Sequence, residues 1–285
     1  MPTFETPEPI SVTVELSVGD LRIVAGDRTD TVVEVRPTNS SKRGDVTAAQ
    51  QTRVEFADGR LLVKAPKGWG WRQLAPFGGG ESVDVEIELP AGSLLQGSAA
   101  VAALRSTGRL GECRFKISAG NITVAKSGSA QLKTSVGDIT VEQIAGDADL
   151  TTSSGALRVD SIEGTAVVRN SNGETWIGDV RGDLRVNSAN GKIVVDRAGA
   201  TVAAKTANGD IRLDEVAHGA ISAETARGRV DIGVANGVPA YLDLKTQFGN
   251  VRSNLEATAQ PQPGEDSVEV RARTAFGDIT ISRAR

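Results

Sequence analysis

The sequence predicts an all-β protein: a β-solenoid (β-helix) of ~18-residue two-strand coils with an irregular β-rich N-terminal cap. Three observations point there. The pattern Gly-x-apolar-x-apolar recurs from AGNITV (119–124) to FGDITI (276–281), with glycines at 120, 137, 155, 173, 191, 209, 228, 249 and 277. Their intervals are 17, 18, 18, 18, 18, 19, 21 and 28 residues. Half a period later a second strand-like unit follows, as in GDADLTT (146–152), GTAVVRN (164–170), GDLRVNS (182–188) and GAISAET (219–225). Finally, 32 glycines against 4% aromatic residues suit many tight corners around thin layers of small aliphatic side chains.

Residues 1–97 are read as the cap, β-rich but out of strict register. Strand candidates there are 10–16, 20–24, 31–36, 52–57, 60–65 and 82–89, with long loops over Lys42 to Ala49 and Ala65 to Gly80. VGDLRI (18–23) matches the repeat. A solenoid end exposes unpaired strand edges and needs covering, which is the role assigned to this segment. The loop KGWGWRQLAPFGGGE (67–81) concentrates Trp69, Trp71, Arg72 and Phe77. Either these side chains form an exposed patch for a partner or a sugar, or the rings fold back over the solenoid end. Its GGG precedes a strand, not a helix, which makes a poor phosphate loop.

Residues 98–285 are read as one continuous repeat region. Stacked coils turn each position into a ladder. Ile139, Leu157, Thr175, Ile193, Ile211, Val230, Val251 and Ile279 form one inward ladder; Val141, Val159, Ile177, Val195, Leu213, Ile232 and Ile281 form the next. Leu150, Val168, Val186, Ala204, Ala223, Leu244 and Ala272 fill the opposite sheet. A third column, Thr134, Thr152, Asn170, Ser188, Thr206, Thr225, Thr246 and Thr274, is small and polar beside a turn, suited to bonding turn backbone. Asn172, Asn190 and Asn208 read as an asparagine ladder.

Outward positions carry the remaining chemistry. Trp176 beside Val194 is an apolar patch on a polar face, read either as a partner site or as a locally covered face. The column Glu174, Lys192, Asp210, Arg229 alternates in sign and reads as an ion-pair ladder. Glu142, Asp160, Asp196 and Asp214 form an acidic column where a cation is conceivable, although the glycine-aspartate signature of calcium β-rolls is missing. Lys133, Arg169, Lys205, Lys245 and Arg273, broken by Glu224, read as a solvated stripe.

The repeated GDI-x-V units, LDLKTQFGNVRSNLEA (242–257) and GEDSVEVRARTAFGDITISR (264–283) resemble the bacterial DUF4097 family, also labelled "putative adhesin". TPEPISVTVELSVGDLRI (6–23) and PFGGGESVDVEIELPAG (76–92) are similar to its actinobacterial members. The resemblance spans essentially the whole chain. It implies a β-strand-repeat solenoid and brings no catalytic residues.

Several functions are set aside. A net charge of −4, from 32 basic and 36 acidic residues, lacks the basic footprint of a nucleic-acid binder. His218 is the only histidine, and Cys113, in the strand-like GECRFKI, reads as a buried structural thiol. The expectation is therefore no enzyme, no cofactor and no metal site. With no signal-like start and no membrane-length apolar run, a cytoplasmic location without membrane insertion is expected. The leading function is a non-enzymatic scaffold or interaction module whose partner is an unknown protein or itself. Self-assembly through solenoid ends is the alternative, because FGDITISRAR reads as an uncapped last strand with Arg283 and Arg285 as edge charges. A carbohydrate-binding or polysaccharide-active β-helix is the third class.

Overall fold

Alternating aliphatic and polar residues build strands almost throughout the computed structural model, which describes residues 2–66, 81–255 and 267–284. The chain divides into two compact units, Met1–Glu142 and Gln143–Arg285.

The first unit begins with β1 (Thr3–Glu5), β2 (Ser11–Val18), β3 (Leu21–Gly26) and β4 (Asp30–Pro37). Helix α1 (Arg43–Gln51) follows, then β5 (Arg53–Ala57), β6 (Arg60–Lys64), β7 (Val83–Pro90) and β8 (Leu94–Val101). Two long strands close it, β9 (Leu104–Ala119) and β10 (Ile122–Val136), before β11 (Ile139–Ile144), which contains the boundary. One parallel run is β6–β2–β8–β9–β10 and another is β7–β3–β9–β10. β9 serves both because it turns a corner at Gly108, where φ is +76°: Leu104–Thr107 pair with β3, and Cys113–Ala119 with β8.

Antiparallel strands finish the outer side of this unit. β5 lies on β6, β4 on β7 and β1 on β4, with Phe4 stacked on Phe56 at 4.9 Å between centroids. Residues 42–49, expected as loop, fall mostly within α1 instead. The helix is only nine residues long, buries Asp45 and Ala48 alone, and has no side-chain N-cap bond. Neither an apolar stripe nor a capping residue marked it in the sequence. Asp45 accepts the Ser82 N–H at 3.1 Å and pairs with Lys42 at 3.2 Å, tying α1 to the start of β7.

The second unit is regular. Its first sheet holds β12 (Ala148–Ser154), β14 (Ala166–Asn172), β16 (Leu184–Asn190), β18 (Val202–Asn208) and β20 (Gly219–Arg227). The facing sheet holds β13 (Leu157–Ile162), β15 (Thr175–Val180), β17 (Ile193–Ala198), β19 (Ile211–Val216) and β21 (Val230–Val234). Pairing is parallel and joins residue i to i+18 through the middle coils, as Leu157↔Thr175↔Ile193↔Ile211. That is the β-solenoid, with its core between the sheets.

The last coils leave sequence order. β22 (Ala240–Phe248) and β23 (Val251–Ser253) follow β21 in the chain, yet β24 (Val268–Phe276) and β25 (Ile279–Arg283) occupy the neighbouring places. The expected ladder Val230, Val251, Ile279 therefore runs Val230, Ile279, Val251. The linker 235–239 bridges the skipped coil. Arg283, expected as an edge charge, instead donates from Nη1 to the carbonyls of Ala235 and Val238 at 3.0 and 2.8 Å, holding that linker. β25 is thus an inner strand, with β21 on one side and β23 on the other; Arg285 lies outside the described residues.

Candidate interaction site at the open end of the second unit

Most of the repeat's polar chemistry is spent on holding coil to coil. The third column is buried at Thr152, Asn170, Thr206, Thr225 and Thr274. Thr225 Oγ1 donates to Gly209 O at 3.0 Å, Thr274 to Gly228 O at 3.1 Å and Thr246 to Gly277 O at 3.0 Å, each reaching the turn of the adjoining coil. Ser188 departs from this: its hydroxyl is buried without a partner among the described residues. The asparagine ladder also forms, Asn190 Nδ2 donating to Asn172 Oδ1 and Asn208 Nδ2 to Asn190 Oδ1, both at 2.9 Å. Its turns demand glycine. Gly191 has φ +149°, and a Cβ there would overlap the Gly173 carbonyl.

The charged columns divide between links across coils and pairs within one strand. In place of the ion-pair ladder expected over Glu174 to Arg229, Asp210 makes a backbone bond, its Oδ1 accepting the Arg229 N–H at 2.7 Å. The acidic column is dispersed among different partners. Asp160 pairs with Arg158 at 3.3 Å, Asp196 accepts the Trp176 indole N–H at 3.1 Å, and Asp214 pairs with Arg212. In the basic stripe, Arg169 pairs with Asp149 at 2.8 Å, Lys205 with Glu224 at 3.4 Å and Arg273 with Asp243 at 3.3 Å. Cys113, in the first unit, is fully buried, and desolvation pushes its thiol up to about 12.

Of the residues singled out from sequence, Trp176 and Val194 are direct ladder neighbours on β15 and β17. The indole lies beside Gly178, where a Cβ would come within 3.2 Å of the ring, and Arg158 caps it at 3.8 Å. Val194, between Trp176 and Arg212 in the ladder, is 7% exposed. Trp69, Trp71, Arg72 and Phe77 lie outside the described residues.

Beside Trp176's partner Asp196 runs a groove of about 510 Å³, lined by Asp196, Arg212, Asp214, Asp231, Thr280 and Arg283 among others. Partial burial raises the Asp231 carboxyl above its ordinary value, against a hydrogen bond from Thr280 and nearby arginines that lower it. Arg212 is occupied by Asp214, and Arg283 by the linker carbonyls.

The outermost described coil, β22–β23, is different in kind. On β24–β25 the inward residues Val270, Ala272, Ile279 and Ile281 are all 0% exposed. Their counterparts one coil out lie on the same columns, Leu242, Leu244, Val251 and Ser253. Leu242 is 37% exposed and Val251 45%. Nothing among the described residues pairs with the far side of β22. At the corner the column changes character: after Asn208 come Arg227, Phe276 and Phe248. The two rings stack at 5.0 Å with a 7° tilt, and Phe248 keeps 65% of its surface. Leu242, Val251 and Phe248 give the open end its apolar surface, and Tyr241, on the other face of β22 beside Glu269, is 48% exposed.

The sequence sets the open end at FGDITISRAR, whereas the structure sets it at β22 and β23. The sequence placed Val251 inside the ladder and offered only the intervals of 21 and 28 as a hint that order breaks there.

The stacked coils, glycine corners and inward polar column define a β-solenoid repeat protein. The chain belongs to the Toastrack DUF4097 family, whose model matches residues 9–282. Three solved structures are similar over nearly their whole lengths. A putative adhesin from Bacteroides fragilis is 13% identical, covering 98% of this chain and 95% of that one, with a TM-score of 0.35. A putative cell adhesion protein from Clostridium sporogenes is 12% identical over 99% and 98%, at 0.24. A putative adhesin from Parabacteroides distasonis is 10% identical over 98% and 95%, at 0.26. No curated relative matches the chain. Among the described residues, no helix is long and apolar enough to cross a membrane.

Proposed function

We propose that this chain is a non-catalytic, adhesin-like interaction module that engages protein surfaces through the open end of its second unit. The carrying observation is the contrast between adjacent coils: Ile279 is 0% exposed, and its ladder partner Val251 is 45% exposed. A strand edge with apolar side chains beside it supports strand addition, in which backbone bonds give affinity and side-chain columns give register. The side faces support the same reading, because many of their charges are already paired, within a strand as Arg158 with Asp160 or across coils as Lys205 with Glu224.

A photo-crosslinking amino acid at Phe248, compared with one at Arg158 on the side face, tests this in cell extract. Protein adducts from position 248 and not from 158 are expected. No adduct at 248, or equal yield at both, overturns the reading.

A second reading rests on the groove, where partial burial raises the Asp231 carboxyl above its ordinary value on a wall it shares with Asp196 and Asp214. A raised carboxyl close to further carboxylates is an arrangement that glycosidic chemistry uses. Polysaccharide cleavage lost in Asp231→Asn and Asp214→Asn variants would favour it over the interaction module.

A further inference from the structure

We infer that the partner of the open end is a second copy of this chain, joined about a twofold axis through antiparallel pairing of β22 with β22. The inference rests on the interaction reading and names its occupant. Val268 donates its N–H to Pro239 O at 3.0 Å. In a parallel ladder this turns the odd-numbered backbone groups of β22 toward β24 and leaves those of Leu242, Leu244 and Thr246 facing the free edge. Even residues must then meet even residues. The same parity keeps inward side chains opposite inward ones, since a slip of one residue would invert every face.

Charge selects among the registers that remain. With Leu244 on the axis, Asp243 lies opposite Lys245 of the second copy, and Lys245 opposite its Asp243. These are non-hydrogen-bonded positions, where Cα atoms approach to about 4.5 Å and side chains are closest. A shift of two residues one way sets Asp243 against Asp243; the other way sets Lys245 against Lys245. Lys245 already has Arg273 as its ladder neighbour, so a carboxylate on its open side relieves a like-charge contact. Asp243 is exposed and shared between Arg271 at 3.1 Å and Arg273 at 3.3 Å, which keeps it ionised. On the inward face Leu244 meets Leu244, Leu242 meets Thr246, and Ala240 meets the exposed ring of Phe248. An isologous contact of this kind closes at two copies.

Sedimentation equilibrium of the full chain tests this with Lys245→Glu, Asp243→Lys and their equimolar mixture. Wild type is expected to form dimers and nothing larger. Each variant alone faces like charges twice and is expected to associate at least tenfold more weakly. The mixture restores both pairs and is expected to return to within about threefold of wild type. Leu244→Arg, which sets two cations on the axis, is expected to be monomeric and does not depend on the Asp243 variant folding. A wild type that stays monomeric at every concentration, growth beyond dimers, a mixture no tighter than its parts, or an undiminished Leu244→Arg dimer overturns the pairing. Crosslinks from position 248 to other proteins only would overturn self-pairing while leaving the interaction module standing.

Discussion

Val251 lies directly beside Ile279 and two strands away from Val230, although Val230 is the nearer of the two along the chain. That inversion decides which surface of the second unit is left open. The chain returns through β24 and β25 to fill an inner coil, so the residues that finish the stack are those earlier in the chain, 240–253. An apolar ladder whose last member is half-exposed is a stability cost, at roughly 25 cal/mol per Å² of apolar surface left in water. A surface kept at that cost is a reasonable place to look for binding.

The corners are the most stringent part of the repeat. Gly191→Ala places a methyl group against the Gly173 carbonyl in a backbone region that side chains avoid, whereas Gly237, at φ +80°, has nothing within 4 Å. Urea unfolding is expected to show a loss of about 3 kcal/mol or more for the first and about 1 kcal/mol for Gly237→Ala. Equal losses would mean that the coil spacing relaxes around the methyl group.

The inward threonines act through their hydroxyls. Thr225→Val keeps the shape and removes the donor to Gly209 O, with an expected loss of about 1 kcal/mol; Thr225→Ser retains the donor and is expected to lose less. A serine variant no better than the valine one would assign the column to methyl packing.

Trp176 is held from two sides. Trp176→Phe removes the bond to Asp196 and is expected to cost about 1 kcal/mol, and Arg158→Ala about 0.5–1 kcal/mol through the lost cation–π contact. Because both side chains touch one ring, the double variant is expected to lose less than the sum. Strict additivity in thermal melts would show that the ring is not clamped.

Burial raises Cys113 from an ordinary value of 9.0 to about 12. The unfolded thiol ionises near 9 while the native one stays protonated, so stability is fully present below pH 9. It then falls by up to about 1.4 kcal/mol per pH unit as pH rises toward 12. A Cys113→Ala variant is expected to lose that slope, and native protein at pH 8 is expected to resist thiol reagents until it unfolds. Rapid native labelling would place the thiol at an accessible site.

Much of this fold was legible because parallel stacking repeats one environment. A glycine at 173, 191 and 209 declares three copies of the same corner, and Leu157, Ile193 and Ile211 three copies of the same core position. The order of the last coils was not legible for the same reason. Val251 and Ile279 suit that ladder equally well, and only the linker that skips a coil distinguishes them. Helix α1 escaped because its buried side consists of one aspartate and one alanine. The open end escaped with the coil order, and the passage from Asn208 through Arg227 to Phe276 and Phe248 acquires meaning only once those residues are known to be stacked.

Residue-resolved hydrogen exchange along β22 tests the open edge most directly. In dilute protein the amides of Leu242, Leu244 and Thr246 are expected to exchange fast, while those of Tyr241, Asp243 and Lys245, bonded to β24, exchange slowly. Raising the concentration is expected to protect the first set selectively. Uniform protection of all six in dilute protein would contradict the open edge, because it would mean that the edge is already covered within a single chain.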